Sequence, residues 1–540
     1  MKMTKAKKIK IRDNKGITLV ALVITIIVLI ILAGVSINLI LGDNGIITKA
    51  KEASKAQEIA EIKENVQMKI AELEMQKLQN GQVITQAEIE TILQSQNLEV
   101  IKNDDETIKS IKPVGKDYEI PYEEIYRGQV SQNTPVVPET PIVPEVLPID
   151  GSYNATKGVN TPKINEAQGM KLVTFNTNTK TWVEDTTNSD YEYIAGEGTS
   201  DNTSSRWANA IVTKDGIDSY FVWIPRYAYK IDSTNKTIDV KFIQGTGTTA
   251  ADGTVCKYAD DSTLTANDYI VHPAFTSNAN LGGGFGELSG LWIGKYESSR
   301  SDAEIDSIGE STTLKVVPSV KSWVSTTIGE MYTYAKAYNT ELKSHMLKNS
   351  EWGTVAYLTH SQYGRNGNEI AVNQCSELIT GAGPGTGESN IYNSNYAYNA
   401  SNFETTYSYT TAQGKKSSTT GNEYGIYDIS GGAWEYVASY YNGSTSLSNG
   451  SIFAKKGGTS NQYATVYTGT TASSNYIKGD ATYETSGWKS DNTVFVSSTT
   501  PFFRRGGFYK YTYQAGLFCY YSNGGYADFD CSFRTCLVVN

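Results

Sequence analysis

Residues 17–41, ITLVALVITIIVLIILAGVSINLIL, form 25 consecutive positions without a charged side chain. As a helix the run is roughly 37 Å long at ~1.5 Å per residue, more than the ~30 Å hydrocarbon thickness of a bilayer. A segment in lipid must satisfy its own backbone hydrogen bonds, so the run is expected to be a membrane-spanning helix. Buried core helices are also apolar, but they seldom stay uncharged for so long. The flank before it carries Lys2, Lys5, Lys7, Lys8, Lys10, Arg12 and Lys15 against one acid, Asp13. A positive flank stays in the cytoplasm, so the rest of the chain is expected outside the cell.

Composition restricts what that remainder does. The 540 residues allow roughly three or four domains of ordinary size, or fewer large ones. The net charge of −10, which becomes more negative without the basic flank, argues against nucleic acid as a partner. The five cysteines (256, 375, 519, 531 and 536) contain no CxxC pair, so neither a disulfide framework nor a zinc site can be read from them. The 37 tyrosines, set among many Gly, Asn, Ser and Thr, suit a β-rich, loop-rich exported protein.

Along the chain, Gly42-Asp43-Asn44-Gly45 is a break. A helical pattern then runs from Ile46 to about Asn80-Gly81, and Thr85-x-x-Glu88 is a capping box for a second helix. Residues 98–126 alternate like two or three short strands. Five prolines within 133–148 make a stiff spacer. Four segments follow: a leader (1–16), an anchor helix with a small head (17–126), a Pro-rich linker (127–150) and a large domain (151–540). In the last, Tyr220–Ile224, Leu291–Ile293 and Trp434–Val437 read as strands, and 328–342 and 349–359 as helices.

The join Lys15-Gly16-Ile17-Thr18-Leu19, between a basic leader and a long apolar helix, resembles the class III leader of type IV pilins and pseudopilins. The resemblance implies cleavage between Gly16 and Ile17 by a prepilin peptidase. It also implies a helix at 17–41 that holds the subunit in the membrane or packs with other pilins. The expected location is then the bacterial cell membrane or a pilus, with the C-terminal domain extracellular. Ala21 stands where the family carries a Glu at the fifth mature residue, which implies a minor or tip subunit, or an anchor that does not polymerise.

A second resemblance covers 205 to the C-terminus. FVWIPRYAYKI (221–231), HPAF (272–275), LWIGKYESS (291–299), MLKNSEWGTVAYL (346–358), GNEYGIYDISGGAWEYVA (421–438), RRGGF (504–508) and SFR (532–534) occur in order. Together they resemble the sulfatase-modifying, formylglycine-generating-enzyme type of C-type-lectin fold. The implied fold class is α+β: a long N-terminal membrane or pilin helix with a small head, then a mixed C-type-lectin-like domain. The family's oxidases carry a Cys pair after their RGGS-like motif, whereas Phe508 to Tyr513 here contain none, so no enzyme is expected. By the same resemblance Asp428, Gly431, Ala433 and Glu435 stand where the family binds calcium, the one candidate cofactor.

The terminal stretch 504–540 is dense in Tyr, Phe, Ser, Asn, Gly and Asp around a framework of Arg505, Gly506, Gly507, Ala515, Gly516, Phe533 and Arg534. It resembles the variable region of proteins diversified by retroelements with adenine-directed mutagenesis, in which a lectin-like fold displays the varied residues to a ligand. That resemblance makes Phe508, Tyr509, Tyr511, Tyr513, Tyr520, Tyr521, Ser522, Asn523, Tyr526, Asp528 and Asp530 the candidate ligand-binding residues. Tyr509, Tyr511 and Tyr513 have period two and are expected on one face of a strand. Tyrosine gives rigid contact area, and Ser, Gly and Asn adapt, as in antibody loops. The leading expectation is a surface-displayed receptor or adhesin on a pilin-like anchor, binding an unidentified protein or glycan. The alternative is a structural minor pilin or pseudopilin; a formylglycine-generating oxidase ranks last.

Overall fold

Glycine and asparagine interrupt the chain so often that it folds mainly as short strands and loops. The computed structural model describes residues 46–78, 84–122, 125–126, 146–385 and 403–539. The chain divides into two compact units, Met1–Val143 and Pro144–Asn540.

In the first unit, helix α1 (Ile46–Leu78) and helix α2 (Gln86–Ser95) accompany a small antiparallel sheet. Its strands are β1 (Leu98–Lys102), β2 (Ile108–Pro113) and β3 (Ile120–Pro121), in that order across the sheet. The cap of α2 is reciprocal: Thr85 Oγ1 accepts from the Glu88 N–H at 3.3 Å, and the Glu88 carboxylate accepts from the Thr85 N–H at 2.9 Å. Val66 and Ile70 of α1, Ile89 and Leu93 of α2, and Ile111 and Ile120 of the sheet share one buried cluster.

The expected α+β class and the membrane or pilus location both need correction. The described structure is mostly β-sheet, and among the described residues no helix is long and apolar enough to cross a membrane. Helix α1 is long, at 33 residues, but Lys and Glu recur on nearly every turn. The apolar run 17–41 and the junction Gly16-Ile17 lie outside the described residues, as does most of the Pro-rich linker.

The two largest sheets of the second unit have seven and five strands. The first contains β4 (Met170–Asn176), β5 (Thr181–Glu184), β6 (Asn209–Lys214), β7 (Ile217–Pro225) and β8 (Gly290–Gly294). After helix α3 (Ile328–Ala337) the two-residue strand β9 (His345–Met346) joins it, followed by helix α4 (Asn349–His360). The second sheet contains β10 (Trp434–Tyr441), β11 (Thr465–Tyr467), β12 (Phe502–Gly506), β13 (Gly516–Asn523) and β14 (Cys531–Phe533). The last strand, β15 (Thr535–Leu537), returns to the first sheet, whose order is β9-β15-β8-β7-β6-β4-β5.

The second sheet runs β11-β10-β12-β13, with β14 also beside β10. Strand β10 is shared lengthwise: Trp434–Tyr436 pair with β14, and Ser439–Tyr441 pair with β11. Trp207, Trp223, Trp292, Trp323, Trp352 and Trp434 are all fully buried. Trp223 lies opposite Trp292 across β7 and β8. Tryptophans of this size dominate the apolar area that a β-rich core removes from water.

Candidate functional site

Strand register assembles the candidate site. Across β12 and β13, Arg504 stands opposite Tyr521; across β10 and β14, Trp434 stands opposite Cys531. The Arg504 guanidinium then lies 4.4 Å from the Trp434 ring and 5.3 Å from the Tyr521 ring. Its Nη1 approaches Cys531 Sγ at 3.5 Å and Asp530 Oδ1 at 3.9 Å. A cation between two rings, largely out of water, is held by up to about 2 kcal/mol. Burial pushes the Cys531 thiol well above its ordinary range, so it stays a neutral S–H.

A second set of bonds fixes the loop that follows β13. The Tyr436 hydroxyl lies 2.7 Å from Asn523 Oδ1 and 3.1 Å from the Tyr526 carbonyl. Asn523 Nδ2 donates to Asp528 Oδ2 at 3.1 Å, and the Gly525 N–H donates to Asn523 Oδ1 at 2.8 Å. The Asp528 carbonyl accepts from the Ser325 N–H, and the Asp530 carbonyl from the Trp434 N–H. Residues 524–530 are thereby tied at both ends while their tips face solvent. Tyr526 is 57 % and Phe529 71 % exposed. Phe508 sits 6.2 Å from Phe529 and 4.3 Å from Tyr509, whose N–H donates to the Gly432 carbonyl.

The candidate residues therefore divide. Tyr526 is exposed, and Tyr509, Tyr521, Asn523, Asp528 and Asp530 are half-buried around the loop. Phe508 is buried beneath Tyr509 and Phe529. Tyr520 is buried on the other side of β13, with its hydroxyl 3.2 Å from Ser486 Oγ, and Ser522 is buried with its hydroxyl on Thr500. The expected Tyr-rich strand is a 3-10 helix instead, Tyr509–Gln514. At three residues per turn, positions 509, 511 and 513 do not share a face. The side chains of Tyr511 and Tyr513 lie outside the described residues. Sequence reasoning missed Phe529 and the cationic role of Arg504. Only the cross-strand register shows that Arg504 meets Trp434 and Tyr521.

The calcium residues occupy a different, buried place. Asp428 Oδ1 accepts from Asn373 Nδ2 at 2.9 Å and from the Gly381 N–H at 2.9 Å. Glu435 receives Arg534 through both oxygens, with Nε on Oε2 at 2.9 Å. Neighbouring Glu297 accepts from the Ala433 N–H at 3.0 Å and from the Ser322 hydroxyl. The carboxylate oxygens are occupied by N–H, O–H and guanidinium donors rather than converging on one point, which does not fit a hard cation's oxygen shell. Gly431 has another reason to be glycine: its φ is +79° and a Cβ there would meet the Asn373 carbonyl at 2.4 Å. Burial pushes Glu435 up to about 7 despite Arg534, and raises Asp428 and Glu297 as well.

No protein-family model and no curated protein matches the chain. Among solved structures it is similar to one described as "Major Tropism Determinant I1 Variant", at 11% sequence identity over 71% of this chain and 97% of that chain. The TM-score of that match is 0.23, too low to constrain fold or function.

Proposed function

We propose that the protein is a non-catalytic receptor whose C-terminal face binds a protein or glycan, with residues 508–532 as its varied part. The observation that carries this reading is a division of labour within one short stretch. Tyr526 and Phe529 stand in solvent, while the groups that hold their loop, Tyr436, Asn523 and the Trp434–Arg504–Tyr521 stack, are buried or half-buried. Exposed aromatics on a fixed frame give contact area at small entropic cost, the property of a binding anchor. The non-catalytic part rests on the thiols. All five cysteines are buried and none is in a disulfide, and burial raises Cys519, Cys531 and Cys536 alike, whereas a nucleophilic thiol needs the opposite shift.

Sequencing the 3′ end of the gene across cells of one lineage, with its flanking DNA, tests the proposal. The expected result is variation clustered at codons 508–532 beside a near-identical template repeat. Codons for Tyr526, Asp528 and Phe529 should vary, and those for Tyr520 and Cys531 should not. An invariant 3′ end with no repeat would remove the diversified reading.

A further inference from the structure

Where the last strand returns to the first sheet, three side chains of metal-ligand type come together. The register of β9 and β15 sets His345 opposite Cys536. Glu351, in the first turn of α4, joins them. One ligand atom from each, a ring nitrogen, a carboxylate oxygen and Sγ, lies within 4.8 Å of the other two. His345 and Cys536 are 0 % exposed and Glu351 1 %.

His345 Nδ1 lies 2.6 Å from the Lys343 carbonyl. A carbonyl only accepts, so Nδ1 carries a proton. In a neutral ring Nε2 then presents its lone pair to Glu351 Oε1, 3.0 Å away. That oxygen belongs to an ionised carboxylate: Lys348 Nζ lies 3.4 Å from it, and Oε2 accepts from the Lys348 N–H at 2.9 Å. Two lone pairs this close and out of water repel, so a cation lies between them, either a proton or a metal ion. A proton would serve the ring and the carboxylate, and would leave the thiol with its 3.9 Å contact to the Leu537 carbonyl. A metal ion would use all three groups.

The surroundings match those of a metal centre. A metal-binding imidazole commonly donates its other N–H to a backbone carbonyl, as Nδ1 does here, and a ligating carboxylate is itself hydrogen-bonded, as Oε2 is. Imidazole, carboxylate and thiolate together suit zinc, which takes nitrogen and oxygen at about 2.0–2.2 Å and sulfur at about 2.3 Å. The thiolate and the carboxylate offset its two charges. The Lys348 ammonium, also bound to the Gly283 carbonyl at 2.9 Å, then faces a neutral centre. With every ligand buried, the ion is captured while the chain folds and is not admitted to the finished fold. Coordination releases the Cys536 proton to solvent, and the fourth position of the tetrahedron falls to water. We propose that His345 Nε2, Glu351 Oε1 and Cys536 Sγ bind one zinc ion, which ties β9 and β15 to α4. The site shares no residue with the face proposed above, so either can fail without the other.

Metal content and zinc-edge X-ray absorption of the full-length protein test the proposal. One preparation is purified without chelator; a second is refolded from urea with excess zinc and freed of loose ion by gel filtration. The expected result is about one zinc per chain, with one sulfur near 2.3 Å and nitrogen or oxygen at about 2.0–2.2 Å. Refolding with a chelator should give zinc-free protein whose large unit has a lower urea midpoint. Cys536→Ser refolded with zinc should hold about tenfold less of it, and Cys519→Ser as much as wild type. The wild-type absorption spectrum reads the zinc–sulfur bond whether or not a variant folds. The proposal is overturned if both wild-type preparations lack zinc, if the spectrum shows no sulfur, or if folded Cys536→Ser holds as much zinc as wild type. Zinc-free protein would assign the His345–Glu351 contact to a shared proton.

Discussion

Arg504 is held by two rings, a thiol and a carboxylate, and its removal should loosen all four. Arg504→Ala is expected to destabilise the large unit by about 1–3 kcal/mol, read as a lower urea midpoint at unchanged slope. Phe529→Ser and Tyr526→Ser remove side chains that mostly face water, and should stay within about 0.5 kcal/mol of wild type. A drop of several kcal/mol for Phe529→Ser would show that the ring is core and not contact surface. A different residue sets a pH dependence. Glu484 Oε2 accepts from the Gly479 N–H at 2.6 Å and the Tyr357 hydroxyl at 3.1 Å, and burial pushes its pKa up to about 7. Between pH 4.5 and 7 the folded state keeps this proton and the unfolded chain releases it, so unfolding releases protons and stability falls as pH rises. The contribution is fully present below pH 4.5 and lost above about pH 7. Glu484→Gln should flatten that slope by roughly 3 kcal/mol across the window in urea titrations at several pH values; an unaltered slope would place the titration elsewhere.

Elements show what the sequence reveals and what it conceals. Strands at Tyr220–Ile224, Leu291–Ile293 and Trp434–Val437 were legible because each is a short apolar run bounded by breakers. The Thr85–Glu88 box marked α2 because a cap is a local chemical pattern. Tyr509 to Tyr513 misled, because period two describes a strand only where a partner strand supplies hydrogen bonds. Here β12 ends at Gly506, and β13 begins at Gly516. The chain turns at Gly507, whose φ is +84° and where a Cβ would stand 2.5 Å from that of Ala515. Gly507→Ala meets both penalties and should cost about 2–4 kcal/mol. Gly457→Ala meets only the positive φ of 68°, with open space around it, and should cost about 1 kcal/mol. Equal urea midpoints for the two variants would show that the close approach at Ala515 is absent. The candidate site was only partly legible for a related reason: burial of Tyr520 and exposure of Phe529 depend on strand pairing and loop anchoring, which composition does not encode.

Among the described residues the largest buried cluster of each unit is its main core, and the two differ in size. One gathers Val66, Ile70, Ile89, Leu93, Ile111 and Ile120; the other gathers the tryptophans and most of the buried tyrosines of 144–540. A core as small as the first has little reserve, because a short segment buries a smaller fraction of its surface on folding. Two units with separate cores are expected to unfold separately, the smaller at lower temperature, so calorimetry of the full chain should show two transitions. Ile89→Ala removes a fully buried side chain from the small core and should cost about 2–5 kcal/mol there. It should therefore move the first transition down and leave the second in place. The fragment 144–540 should keep the second transition at its full-length temperature, since every contact described for the candidate face lies within it. A single transition that shifts as one under Ile89→Ala would mean that the cores fold together, and the fragment would then melt below the full chain.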